Sequence, residues 1–177
     1  TISAPAANTL TYDGNAKEAT AKLDAASGVT SLPTVGDITY AQNGAALSSA
    51  PVNAGEYTAS ITVGEGENAA TASVKYTIAQ AELTIDSVTV ASKTYNGSAD
   101  AEITNVTFTG LKNSEALTKG TDYEVSGTFN SANVNEANKV TGTVTLKDTS
   151  KVKNYKLPIT TYDVSATIAQ AATPAAP

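Results

Sequence analysis

The chain of 177 residues has no histidine, no cysteine, no methionine and no tryptophan, and its eleven basic residues are all lysine. Each absence removes a class of function. Without histidine, catalysis by a Ser-His-Asp arrangement lacks its base, and without cysteine there is no thiol nucleophile, no thiolate metal site and no disulfide framework. The lack of cysteine leaves the redox compartment open. Seventeen acidic residues against eleven lysines leave a net charge of −6, which repels nucleic acid rather than gathering it. No apolar run is sustained enough for membrane insertion. Methionine is missing even at residue 1, so the chain reads as an internal piece of a longer polypeptide, with any signal peptide or wall anchor outside it.

What remains is alanine, threonine, valine and serine with eight tyrosines, a β-rich composition. Strict alternation marks the strands. Tyr57, Ala59, Ile61 and Val63 share one face of "YTASITV", and Thr58, Ser60 and Thr62 share the other. Val74, Tyr76 and Ile78 repeat the pattern, as do Val144 with Leu146, and Tyr162, Val164, Ala166 and Ile168. Such alternation predicts half-buried antiparallel strands with hydroxyl-rich outer faces, and an all-β fold. One stretch runs against it: "NAKEATAKLDAA" (residues 15–26) is rich in helix formers. It lacks an apolar stripe at helical spacing, and we read it as extended.

The chain repeats itself. Ile2 answers Ile85 and Gly14 answers Gly97 at an offset of 83, whereas "TIAQA" at 77–81 returns at 167–171, an offset of 90. The second copy is therefore longer by seven residues, which we place in the loop "KNSEALTKGTD" (112–122). The resulting organisation is a first domain at 1–81, a second at 82–170 and an Ala/Pro linker at 171–177. The joint "TIAQAELTI" is short, and we expect the domains to keep an extended, end-to-end orientation.

Each copy carries an Asx-Gly pair after a tyrosine, Asp13-Gly14 in "LTYDGNA" and Asn96-Gly97 in "KTYNGSA". The expected role is structural, a tight turn that needs positive φ at glycine. Acidic residues at spacing two, such as Asp100 with Glu102 and Asp122 with Glu124, match a solvated strand face rather than a catalytic pair. "GEGEN" (64–68) offers oxygen ligands without calcium-loop spacing and reads as a loop. "LPITT" (157–161) imitates a sortase signal but has threonine where glycine is needed, and a strand follows. No catalytic residue, metal or cofactor is assigned. For carbohydrate, flat aromatic platforms are the usual device. Tyr40, Tyr123 and Tyr155 are the candidates at strand or loop edges, Tyr123 and Tyr155 above all, because they lie in the copy with the seven extra residues and border a potential groove; Tyr57, Tyr76 and Tyr162 fall on apolar faces and count against such a site.

The second copy, with "KTYNGSADAEITNVTFTGL", "DYEVSGTFN" and "KNYKLP", resembles the YDG repeat of large bacterial surface and secreted proteins. That family carries a Lys-Thr-Tyr-Asp-Gly turn, a Gly-x-Phe strand and an Asn-Tyr-x-Leu segment in this order. The departures are Asn96 for the usual Asp, and Asn135-Glu136 in place of a glycine turn. The first copy looks like the related Ig-like or MBG-type repeats, whose Asn-Ala-Gly-x-Tyr strand it keeps at 53–57. The resemblance implies two tandem immunoglobulin-like β-sandwich domains, with a β-grasp-like or irregular β arrangement as the alternative. It implies non-enzymatic spacer or stalk modules, monomeric and extracellular, at the cell surface or secreted, whose partners are neighbouring modules of the same polypeptide. The alternative function is an adhesin or carbohydrate-binding module for polysaccharide or host glycan through surface tyrosines. Some wall-anchored Ig-like domains carry a Lys-to-Asn isopeptide bond, for which Lys93 with Asn154 is the pair to check.

Overall fold

The computed structural model describes residues 1–23 and 33–172, which are mostly β, with no α-helix among them. They form two compact units, Thr1–Ala81 and Glu82–Pro177.

In the first unit β1 (Ile2–Ser3) pairs antiparallel with β2 (Thr20–Ala21). A second sheet has the order β4-β3-β5-β6, from β3 (Thr39–Gln42), β4 (Ala45–Leu47), β5 (Gly55–Val63) and β6 (Ala70–Ile78). Tyr57, Ala59 and Ile61 of β5 and Tyr76 and Ile78 of β6 are buried, as the period of two requires. The β3–β4 hairpin turns on Asn43 (φ 50°) and Gly44 (φ 81°), both in the left-handed region that a two-residue hairpin loop needs. Of residues 15–26, those described are not helical: 20–21 are strand β2, and 24–26 lie outside the described residues.

The unit boundary falls within β7 (Ala81–Glu82). The second unit continues with β8 (Thr84–Val90), β9 (Lys93–Thr94), β10 (Ile103–Thr109), β11 (Tyr123–Phe129) and β12 (Lys139–Leu146), then β13 (Tyr155–Lys156), β14 (Thr161–Ser165) and β15 (Ile168–Ala169). β8 pairs with β10, and β11, β12 and β14 form a three-stranded antiparallel sheet. Ile103, Val106, Tyr123, Phe129, Val140 and Val144 form the core, with Ile85, Val88 and Val90 of β8 packed against it.

Strand register identifies equivalent positions in the two units. Val74 and Val164 stand 90 apart; their cross-strand partners are Ala59 and Val140, 81 apart, and the next partners are Tyr40 and Phe129, 89 apart. The match is chemical as well, since Ala59 and Val140 are both 0 % exposed and Tyr40 and Phe129 are both buried aromatics. The excess of seven residues is therefore a net figure. The second unit is longer before β11 and again between β12 and β14, and it lacks the β4 hairpin. The 112–122 loop therefore does not account for all seven, because an offset read at the two ends of a repeat sums insertions and deletions between them.

Candidate functional site

The repeated Tyr-Asx-Gly stretch does the same local work twice. Asp13 Oδ1 accepts the Asn15 N–H at 2.9 Å, and Asn96 Oδ1 accepts the Ser98 N–H at 3.1 Å, an Asx turn in each unit. The glycines that follow sit at φ 79° and 77°. Neither turn is a hairpin, in contrast to Asn43-Gly44. The segment before each turn runs parallel to the last strand of its own unit. The Tyr12 N–H donates to the Ala79 carbonyl at 2.8 Å, and the Tyr95 N–H donates to the Ala169 carbonyl at 2.8 Å. The pairing is parallel in both units, Thr11 with Ala79 and β9 with β15.

The charges around the two turns differ. In the first unit the Lys17 ammonium, only 4 % exposed, meets Asp13 at 2.7 Å. The Lys17 hydrogen bond and the Asn15 amide hold the Asp13 carboxyl below its ordinary value. In the second unit the place of Lys17 is taken by Asp100, which accepts the Ser98 hydroxyl at 2.7 Å. Lys93 donates to the Asp100 carbonyl at 2.7 Å and is only half-buried, whereas Asn154 is buried at the end of a short 3-10 turn (Val152–Asn154). The ammonium therefore faces a backbone carbonyl rather than a carboxamide, and the structure does not assemble the isopeptide pair.

Tyr123 and Tyr155 are not on the surface; they are 1 % and 2 % exposed, and Tyr40 is 8 % exposed. Their rings cannot serve as a sugar platform. Tyr123 stacks edge-on against Phe108 at 5.1 Å between ring centres, and its phase in β11 points it into the core. The Tyr40 hydroxyl accepts the Ala19 N–H at 3.1 Å. Tyr155 anchors the long loop before β11: its hydroxyl donates to Glu115 at 2.7 Å and accepts the Lys112 N–H at 3.0 Å. Burial and the Glu115 carboxylate push the Tyr155 phenol up to about 12.

The same loop is tied at its other end by Asp122, a buried carboxylate. Burial alone would raise its pKa, but the Thr118 N–H, Lys151 and the Thr149 hydroxyl more than offset this and hold it low. Lys119 and Lys147 close on the carbonyls of Ile103 and Gly120. These lysines are fasteners, each spent on a backbone carbonyl or on Asp122. Among the described residues no group of three or more Asp or Glu is placed to hold a metal ion, and the "GEGEN" stretch turns β5 into β6 through a 3-10 turn (Gly66–Asn68). No helix among them is long and apolar enough to cross a membrane.

The tyrosine that is exposed is Tyr95, at 45 %. It lines an open recess of about 370 Å³ with Val134, Asn135, Gln170 and Ala171. Reading "KTYNGSA" only as a turn missed this ring. A signal was present: in contrast to Tyr57, Tyr76 and Tyr162, Tyr95 belongs to no alternating apolar run, so nothing in the sequence assigns it to the core.

The motifs that carry the resemblance of the second unit now have physical roles. Residues 79–166 match the YDG domain. No curated protein and no solved structure matches the chain. The Gly-x-Phe element of the YDG stretch is Gly127-Thr128-Phe129, where a Cβ on Gly127 would stand 2.8 Å from the Tyr162 hydroxyl. That hydroxyl crosses the paired glycines Gly127 and Gly142 to donate to the Ser126 carbonyl at 2.6 Å. The Asn-Tyr-x-Leu segment of the same domain supplies Tyr155, the anchor of the loop.

Proposed function

We propose that the two units are immunoglobulin-like β-sandwich modules that act as a non-catalytic, load-bearing spacer in a bacterial surface-exposed or secreted multidomain protein. The observation that supports this best is the parallel closure at Tyr12–Ala79 and Tyr95–Ala169. Tension between the ends of a unit drags an early segment backwards and the final strand forwards along parallel axes. The hydrogen bonds between them then bear load together, in shear, whereas an antiparallel hairpin pulled at its ends opens one bond at a time. Division of the first strand run between two partners, β8 on β10 and β9 on β15, supports the immunoglobulin-like reading. The partners of such modules are the neighbouring modules of the same polypeptide.

Single-molecule stretching of the chain tests the proposal. Two unfolding events are expected, and Ala79→Pro, which deletes the 2.9 Å bond from the Ala79 N–H to the Leu10 carbonyl, should lower the force of one event only. Equal forces in parent and variant would overturn the load-bearing role.

A further inference from the structure

We infer that the recess beside Tyr95 binds a neutral saccharide, with a pyranose face against the phenol ring and sugar hydroxyls bonded to the carboxamides of Asn135 and Gln170. Three polar groups line it without a partner among the described residues. The Tyr40, Tyr57, Tyr76, Tyr123, Tyr155 and Tyr162 hydroxyls all bond protein atoms, whereas the Tyr95 hydroxyl and the two carboxamides make no hydrogen bond to any other described residue. An aromatic ring left 45 % exposed beside uncommitted donors and acceptors is the composition of a small-ligand site rather than of a folding element. The recess volume of about 370 Å³ falls within the range of such sites, ~300–1,000 Å³.

The site is held rigid by the loop that presents it. Asn130 Oδ1 accepts the N–H groups of Asn138 and Lys139, each at 3.0 Å, and its Nδ2 donates to the Glu136 carbonyl at 3.1 Å. The Glu136 carboxylate accepts the Ser131 hydroxyl at 2.8 Å and Asn133 Nδ2 at 3.0 Å. These bonds tie the loop to itself and to the first residue of β12, and Val134 and Asn135 stand midway between β11 and β12. Little ordering entropy is left to be lost when a ligand docks. On the opposite side Tyr95 and Gln170 are carried by the parallel closure, which fixes their separation.

The charge of the ligand follows from the lining, which contains no ionisable carboxylate or amine, in a chain of net charge −6. An anionic glycan would meet no cation there and would be repelled at long range. Stacking on a phenol with carboxamide contacts suits a hydroxyl-rich ring, whose apolar face and polar edge match the two kinds of surface.

Two-dimensional NMR of the full chain, titrated with maltohexaose, cellohexaose and N-acetylchitohexaose, tests the assignment. With at least one of them, saturable shifts are expected at Tyr95, Val134, Asn135 and Gln170, including the side-chain carboxamide signals. Tyr95→Ala should weaken that binding about tenfold or more, equivalent to ~1.4 kcal/mol, and Tyr95→Phe by less. The Tyr95 side chain lies outside the core, so unchanged core resonances confirm that both variants fold. The assignment is overturned if no probe moves these signals, if Tyr95→Ala binds as the parent does, or if oligogalacturonate or a proline-rich peptide binds more tightly than all three. It stands apart from the stalk reading, since the closure bond at Tyr95 is made by its backbone N–H and Tyr95→Ala leaves that bond in place.

Discussion

Asp13 and Asn96 show how one residue position is tuned to its neighbour. Both accept the amide two residues on, so either side chain closes the turn. The carboxylate is needed only where a buried ammonium faces it, as Lys17 does; at Asn96 the corresponding neighbour is Asp100, and a second carboxylate would repel it. Asp13→Asn is therefore expected to destabilise the first unit by about 1–3 kcal/mol, because it leaves a buried ammonium without a charged partner. Asn96→Asp should stabilise nothing; denaturant titration of both variants checks the contrast. Gly97→Val isolates the backbone term, since a Cβ there would meet nothing within 4 Å and the cost is the φ of 77° alone, about 1–3 kcal/mol. The folded-state pKa values of Asp13 and Asp122 are depressed, so their stabilisation is present above the ordinary value of 3.8 and is lost as the pH falls below it. Asp122→Asn should flatten the acid limb of the second unit's stability curve, which circular dichroism between pH 5 and pH 2 would register.

At the scale of the element, the sheet β11-β12-β14 is built around a gap. Gly127 and Gly142 lie opposite each other, and the Tyr162 phenol fills the space that two side chains would occupy. A Cβ on Gly142 would fall 2.5 Å from the Tyr162 hydroxyl and collide with the Ser126 carbonyl. Gly142→Ala should cost about 1–3 kcal/mol or more by overpacking, with loss of the Tyr162–Ser126 bond visible in amide exchange. Alternation in β12 and β14 announced which faces were apolar, because a period of two needs only local geometry. It did not announce the glycine pair, since which residues lie opposite each other depends on register, and register between β11 and β12 spans a connection of nine residues, 130–138. The same reason hid the true lengths of the loops.

At the scale of the molecule, each unit has its own buried tyrosines, and the alkaline limit of stability follows from them. Burial pushes Tyr76 in the first unit and Tyr155 in the second up to about 12. Raised phenol values mean that stability is fully present below pH 10 and is lost as the pH rises from 10 through about 12. Tyrosinate absorbance should accordingly rise in two stages, the later one coinciding with loss of β-sheet circular dichroism. Tyr155→Phe keeps the ring and removes both the Glu115 and Lys112 bonds, and should release the loop at 112–122 without unfolding the core.

The order of residues alone determined the β class, the inward face of most strands and the presence of two copies. Each of these rests on local periodicity or on self-similarity, which a single chain displays in full. The positive φ of Gly14 and Gly97 belongs with them, because an Asx-Gly pair encodes it within four residues. The tertiary structure decided which tyrosines reach solvent. Tyr123 and Tyr155 looked available at loop edges and are core residues, while Tyr95, part of a turn motif, is exposed beside Asn135 and Gln170. Exposure depends on what packs from distant segments, such as the loop that brings Lys112 and Glu115 onto Tyr155 and the loop that carries Asn135.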